Sequence, residues 1–123
     1  MCLNTAGKPK KRWGIGYKHL ELLSNGSLTN WDCIATAHSI IYPIGEWVTD
    51  PRDMIIFDHD GCEYTCGFHV SLTREMFEGI RDYPVVKVRF RKVVAGEVKP
   101  DEIYGDVVVA REIKVLEVLN END

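Results

Sequence analysis

The sequence predicts an α+β domain: a mainly antiparallel, twisted sheet or half-barrel with one short helix over about residues 73–82. Three observations lead there. "VVKVRFRKVV" alternates strictly, with Val86, Val88 and Phe90 on one side and Lys87, Arg89 and Arg91 on the other, the period of a half-buried strand. Asn25-Gly26, set between two extended segments, is a strong hairpin signal. "SLTREMFEGIRDYP" carries a Ser71 or Thr73 cap, Glu75 in the first turn, an apolar stripe of Met76, Phe77 and Ile80, and a stop at Pro84.

The remaining elements follow in chain order. Residues 1–12 have almost nothing to bury and read as a flexible or loosely docked basic arm with Lys8, Lys10, Lys11 and Arg12, ahead of a single β-rich domain over 13–123. "GIGYKHLELL" reads as a strand with Ile15, Tyr17, His19 and Glu21 on one face, and its hairpin partner runs through Leu28 and Trp31. Pro43 and Gly45 predict a turn around Ile44, and Pro51 turns the chain again after Asp50. "MIIF", Met54 to Phe57, reads as a short buried strand. "DVVVAREIKVLEVL" reads as a long strand, and its Val107–Ala110 run, apolar on both faces, as a central one; a helix from Arg111 is the alternative.

At 123 residues the chain is one domain able to bury its own core. No apolar run approaches the roughly 18 residues of a membrane span, and the start lacks the apolar core of a secretory signal. A cytoplasmic location with the four cysteines reduced is the expectation. The net charge of −4 does not favour nucleic acid as a partner. The charge is uneven, however: a basic arm and a basic 87–92 stretch flank an acidic middle, so a local anion site is compatible with it.

Three constellations carry chemistry. In "HDGCEYTCGFHV", His59, Cys62, Cys66 and His69 supply the ligand types zinc takes, although the spacing departs from a standard knuckle and a strand would turn Cys66 and His69 to opposite sides. The plain alternative is a hairpin with two buried thiols and a satisfied histidine. Cys2, exposed by removal of Met1, would place a free amine beside a thiol, with His69 or His19 as acid/base; set against this, a nucleophile on a loose arm lacks a rigid setting. Finally, Lys87, Arg89 and Arg91 share one strand face suited to an anion or nucleotide, with Tyr17, Trp31, Trp47 and Tyr104 as stacking surfaces. Glu112 and Glu117 on a neighbouring strand could neutralise that face instead.

"MCL", "GYK", "YTCGFHVSLTREMF", "VVKVRFRKVVAGE" and "VVVAREIKVL", in that order, resemble a group of short phage and prokaryotic proteins with an N-terminal Met-Cys-Leu, a Gly-Phe-His before a helix and a closing Val-Val-Ala strand. In that group proline often stands at the position of Cys66 and nothing matches His59 or Cys62, which weakens zinc as a cofactor. The resemblance implies a phage or mobile-element accessory protein that binds a nucleotide signal or a host protein. A fainter similarity to ADP-ribosyltransferases implies His69 and Glu112 as a pair. The leading expectation is thus a binding protein whose surface gathers at Tyr64, Phe68 and His69 and at Lys87, Arg89 and Arg91, its partner a small anionic ligand or a host protein, with an exposed strand edge open to a homodimer. A small enzyme with Cys2 as nucleophile and His69 as acid/base is the alternative.

Overall fold

The computed structural model describes residues 6–7, 12–29, 40–57, 61, 63–74, 84–97 and 107–119. Ten strands form in chain order: β1 Ala6–Gly7, β2 Gly14–His19, β3 Glu21–Leu22, β4 Leu28–Thr29, β5 Trp47–Thr49, β6 Ile55–Phe57, β7 Glu63–Thr65, β8 Phe68–Ser71, β9 Val85–Glu97 and β10 Val107–Leu119. The two 13-residue strands β9 and β10 pair along almost their whole length and organise everything else. On its other edge β9 carries β2, from Gly14↔Phe90 to His19↔Val85, and at its far end β1. The free edge of β10 takes β8, from Val107↔Ser71 to Ala110↔Phe68, and then β5, from Glu112↔Thr49 to Lys114↔Trp47.

A last pairing, Tyr17↔Ser71, joins β2 to β8 and closes β2, β9, β10 and β8 into a ring. The seam is tight enough to demand glycine: a Cβ on Gly16 would stand 2.4 Å from Val70 Cγ1 and 2.6 Å from the Ser71 carbonyl oxygen. Val86, Val88, Phe90, Val108, Ala110, Ile113, Val115, Phe68 and Val70 fill the interior, with Leu20, Leu28, Ile40 and Tyr42 packed among them.

Ring closure explains where the expected fold class fails. The antiparallel sheet is present, but the class is β and not α+β, because every described element is a strand and the described core is built mainly from the inward side chains of the barrel strands. The helix expected at 73–82 falls, from residue 75, outside the described residues; in front of it the Ser71 hydroxyl accepts the Thr73 N–H at 3.2 Å and donates to the Thr73 carbonyl at 2.7 Å. The hairpin at Asn25-Gly26 forms as expected, with Gly26 at φ 89° and the Ser27 N–H donated to Asn25 Oδ1 at 2.9 Å. Ala6–Gly7, within the basic arm, pairs with Glu97 and Gly96.

"MIIF" is a strand but not a buried one. Among the described residues β6 pairs only with β7 and lies on the outer wall, so alternation points Ile56 inward with Tyr64 and Ile55 and Phe57 outward, both more than half exposed; Met54, one residue before the strand, is more than half exposed as well. The hairpin covers a second, smaller cluster made by Tyr64, Ala95, Val107 and Val109.

The apolar-both-faces character of Val107–Ala110 now has a cause. Val108 and Ala110 point into the barrel, while Val107 and Val109 point outward under the hairpin. Beyond Arg111 the phase slips by one: Ile113 and Val115 point inward and Glu112 and Lys114 outward. β9 slips at the same level, its inward series passing from Phe90 to Val93. Lys92, between them, adopts φ 57°, a left-handed conformation that bends the strand where the two long strands change face.

Candidate anion-binding face

Among the described residues nothing covers the outer wall on the other side of that bend, where Arg89 is exposed and Tyr17, Trp47, Lys87, Arg91 and Lys114 are half-buried. Because Cα partners in an antiparallel ladder point the same way, the register reads off rows of side chains across the barrel wall. One row runs Ile15–Arg89–Lys114–Trp47 across β2, β9, β10 and β5. The next runs Arg91–Glu112–Thr49, and a third Tyr17–Lys87–Glu117. Neighbouring strands stand about 4.8 Å apart and successive outward residues about 6.8 Å apart, so the four-strand row spans about 14 Å.

Glu112 is the organising charge. Its side chain is 8 % exposed, and its carboxylate accepts from Arg91 Nε at 2.5 Å, Lys92 Nζ at 2.9 Å and Thr49 Oγ1 at 3.0 Å. The Lys92 hydrogen bond, followed by those of Arg91 and Thr49, outweighs burial and holds the carboxyl down at about 2. Arg91 is fixed a second time, its guanidinium 3.8 Å from the Trp47 ring centre, with Lys114 Nζ 5.1 Å from the same ring. The neutralisation expected from Glu112 is therefore real, but it reaches only Arg91 and Lys92. Glu117 stands opposite Lys87 in the ladder, yet among the described residues neither Lys87 nor Arg89 has an ion-pair partner.

Of the residues expected in one binding surface, the fold brings together Lys87, Arg89, Arg91, Tyr17 and Trp47. It separates them from the others. Phe68 is 1 % exposed in the barrel core, in an edge-on contact with Tyr42 at 5.6 Å, and so offers no surface to a ligand. Tyr64 is buried beneath its own hairpin and meets the His69 ring edge-on at 6.4 Å. His69 lies on β8 opposite Val109, and its carbonyl accepts from Lys18 Nζ at 3.0 Å.

Cys66 sits away from this face. Burial pushes its thiol up, against the opposing pull of Arg52, so it is a buried thiol and not an activated thiolate. His59 and Cys62, the other zinc candidates with Cys66 and His69, lie outside the described residues, as do Cys2, Trp31 and Tyr104. Among the described residues no group of three or more histidines, cysteines and carboxylates is disposed to hold a metal.

Three participants escaped the sequence reading. Trp13 and Ile15 are exposed on the β2 side, and Lys114 completes the cation row from β10. The signal for Lys114 was there, in the alternation of "EIKVL", once the segment is a strand; the phase slip at Arg111 hid which face it joins. Arg111 itself is a structural clamp, its guanidinium donating to the carbonyls of Arg52 (2.7 Å), Cys66 (2.5 Å) and Asp50 (2.8 Å). It ties the β5–β6 and β7–β8 connections to β10.

Fold and site together define a small closed β-barrel with one outer wall covered by a hairpin and the other lined by cations and aromatic rings. No protein-family model, curated protein or solved structure matches the chain. Among the described residues no helix is long and apolar enough to cross a membrane.

Proposed function

We propose that the protein acts by binding an anionic ligand on the outer wall formed by β2, β9, β10 and β5. One observation carries this: Arg89 and Lys87 stand in register with Ile15, Tyr17 and Lys114 on a wall that no described residue covers, and among the described residues they have no carboxylate partner. Guanidinium and ammonium groups left beside one another repel, and an anion relieves that repulsion while accepting charge-assisted hydrogen bonds. Arg91, held by Glu112 and Trp47, adds a cation whose position is set before any ligand arrives. The similarity drawn from the sequence would make such a binder an accessory protein of a phage or mobile element.

Inorganic polyphosphate, a line of negative charge with no other recognition chemistry, is the probe for this reading. Titrated into the full chain at low salt it binds, and Lys87→Glu with Arg89→Glu abolishes binding while the thermal melt stays within a few degrees. Unchanged binding by the double variant would remove this wall as the site.

A further inference from the structure

We infer that the ligand of this wall is a single strand of nucleic acid, an inference that rests on the anion-binding reading of the same residues. The shape of the surface decides first. Sites for small molecules are concave and enclose most of the ligand, whereas this is the outer wall of a closed barrel, which curves away from solvent. A ligand held here is held by many shallow contacts along its length, which is the behaviour of a polymer.

The pattern of side chains decides second. β2 presents Ile15, 43 % exposed, and the half-buried ring of Tyr17; Trp13, in the bend just before the strand and 73 % exposed, stands at the end of that line. Beside it on β9 runs a line of cations, Arg89 across from Ile15 and Lys87 across from Tyr17, with Arg91 one step further. An apolar and aromatic line about 4.8 Å from a parallel line of cations matches a polymer with flat bases on one side and phosphates on the other. An acidic protein segment would also answer the cations. It would ordinarily add its own strand to a free sheet edge, which on this wall lies at β5 and not at β9, where the line of cations runs between β2 and β10.

The net charge of −4, which counts against nucleic acid in the sequence as a whole, belongs to the whole chain. Among the described residues, Lys87, Arg89, Arg91, Lys92 and Lys114 on this wall face only Glu112 and Glu117. The overall negative charge sets the conditions of binding instead: association is weak at physiological salt and rises steeply as salt is lowered.

The test compares three polyanions on the full chain at one low salt concentration: poly(dT), inorganic polyphosphate and poly-glutamate. Poly(dT) is expected to bind about ten-fold more tightly than polyphosphate, with quenching of tryptophan fluorescence. Trp13→Ala is expected to weaken poly(dT) about ten-fold and leave polyphosphate unchanged, while Trp13→Phe restores most of the loss. Equal affinity for poly(dT) and polyphosphate, with Trp13→Ala silent, would overturn the nucleic-acid inference and leave the anion site standing. Tighter binding of poly-glutamate than of poly(dT) would overturn it in favour of an acidic protein partner. Failure of all three probes would remove the inference and the anion-binding reading together.

Discussion

The same two strands, β9 and β10, have two outer walls of opposite character. On one side of the Lys92 bend, Ala95, Val107 and Val109 point outward and are buried beneath the β6–β7 hairpin. On the other side, Lys87, Arg89, Arg91, Glu112 and Lys114 point outward and nothing described covers them. Both walls share one backbone and one barrel interior, so the difference lies in side chains and in the one-residue phase slip that sorts them. Where the outward residues are apolar, the fold supplies its own cover. Where they are cationic, the described residues supply one buried carboxylate, Glu112, which pairs with Arg91 and Lys92 and not with Arg89 or Lys87.

Substituting the two walls in the same way should break or confirm that contrast. The largest effect belongs to Val109→Asp, which buries an unpaired charge at a fully enclosed position under the hairpin and should cost at least about 3 kcal/mol by chemical denaturation. Arg89→Asp, the equivalent outward change on the bare wall, should move stability by less than about 0.5 kcal/mol. Comparable losses from the two would mean that the bare wall is structural. Next comes Arg111→Met, which keeps the apolar stem and removes the donors to three carbonyls at the junction of the walls. Its expected cost is about 2–4 kcal/mol, together with faster amide exchange across β6–β7 as the hairpin loosens.

Glu112→Gln is the smaller and sharper case. Its carboxyl titrates at about 2 in the fold, below the ordinary glutamate value, so the unfolded chain binds the proton more readily. The stability it contributes is fully present above that ordinary value and is lost as pH falls through about 2. The Gln variant should therefore lose about 1 kcal/mol at neutral pH and show a flatter decline of stability between pH 4.5 and 2. It also frees Arg91 and Lys92, so polyphosphate should bind more tightly to the variant than to the parent. Weaker binding would mean that the positioning of Arg91 by Glu112 outweighs the charge that Glu112 neutralises.

Much of this was legible in the sequence, and the failures have physical causes. The strand at Val86–Phe90 and its cationic reverse, the hairpin at Asn25-Gly26 and the turn at Gly45 follow from short-range rules that the barrel leaves intact. Tyr17 and Trp47 could be paired with the cations because each lies on a strand that alternation orients. Phe68 and Tyr64 could not be excluded from the site, since whether a wall is covered depends on a hairpin docked from elsewhere in the chain. "MIIF" read as buried for the same reason: a two-stranded flap exposes one face whatever its hydropathy. The α+β class failed because closure of the ring through Gly16 and Ser71 is a long-range event, and no local pattern announces that a barrel will enclose its own core.

The most direct measurement is a map of backbone amide shifts in the labelled protein as poly(dT) is added at low salt. Shifts concentrated at residues 13–17, 87–92, 112–117 and 47–49, with the β6–β7 hairpin silent, are the predicted result. Shifts centred on Ile55, Phe57 and Glu63 would contradict the assignment of function to that wall, and none anywhere would contradict the nucleic-acid inference.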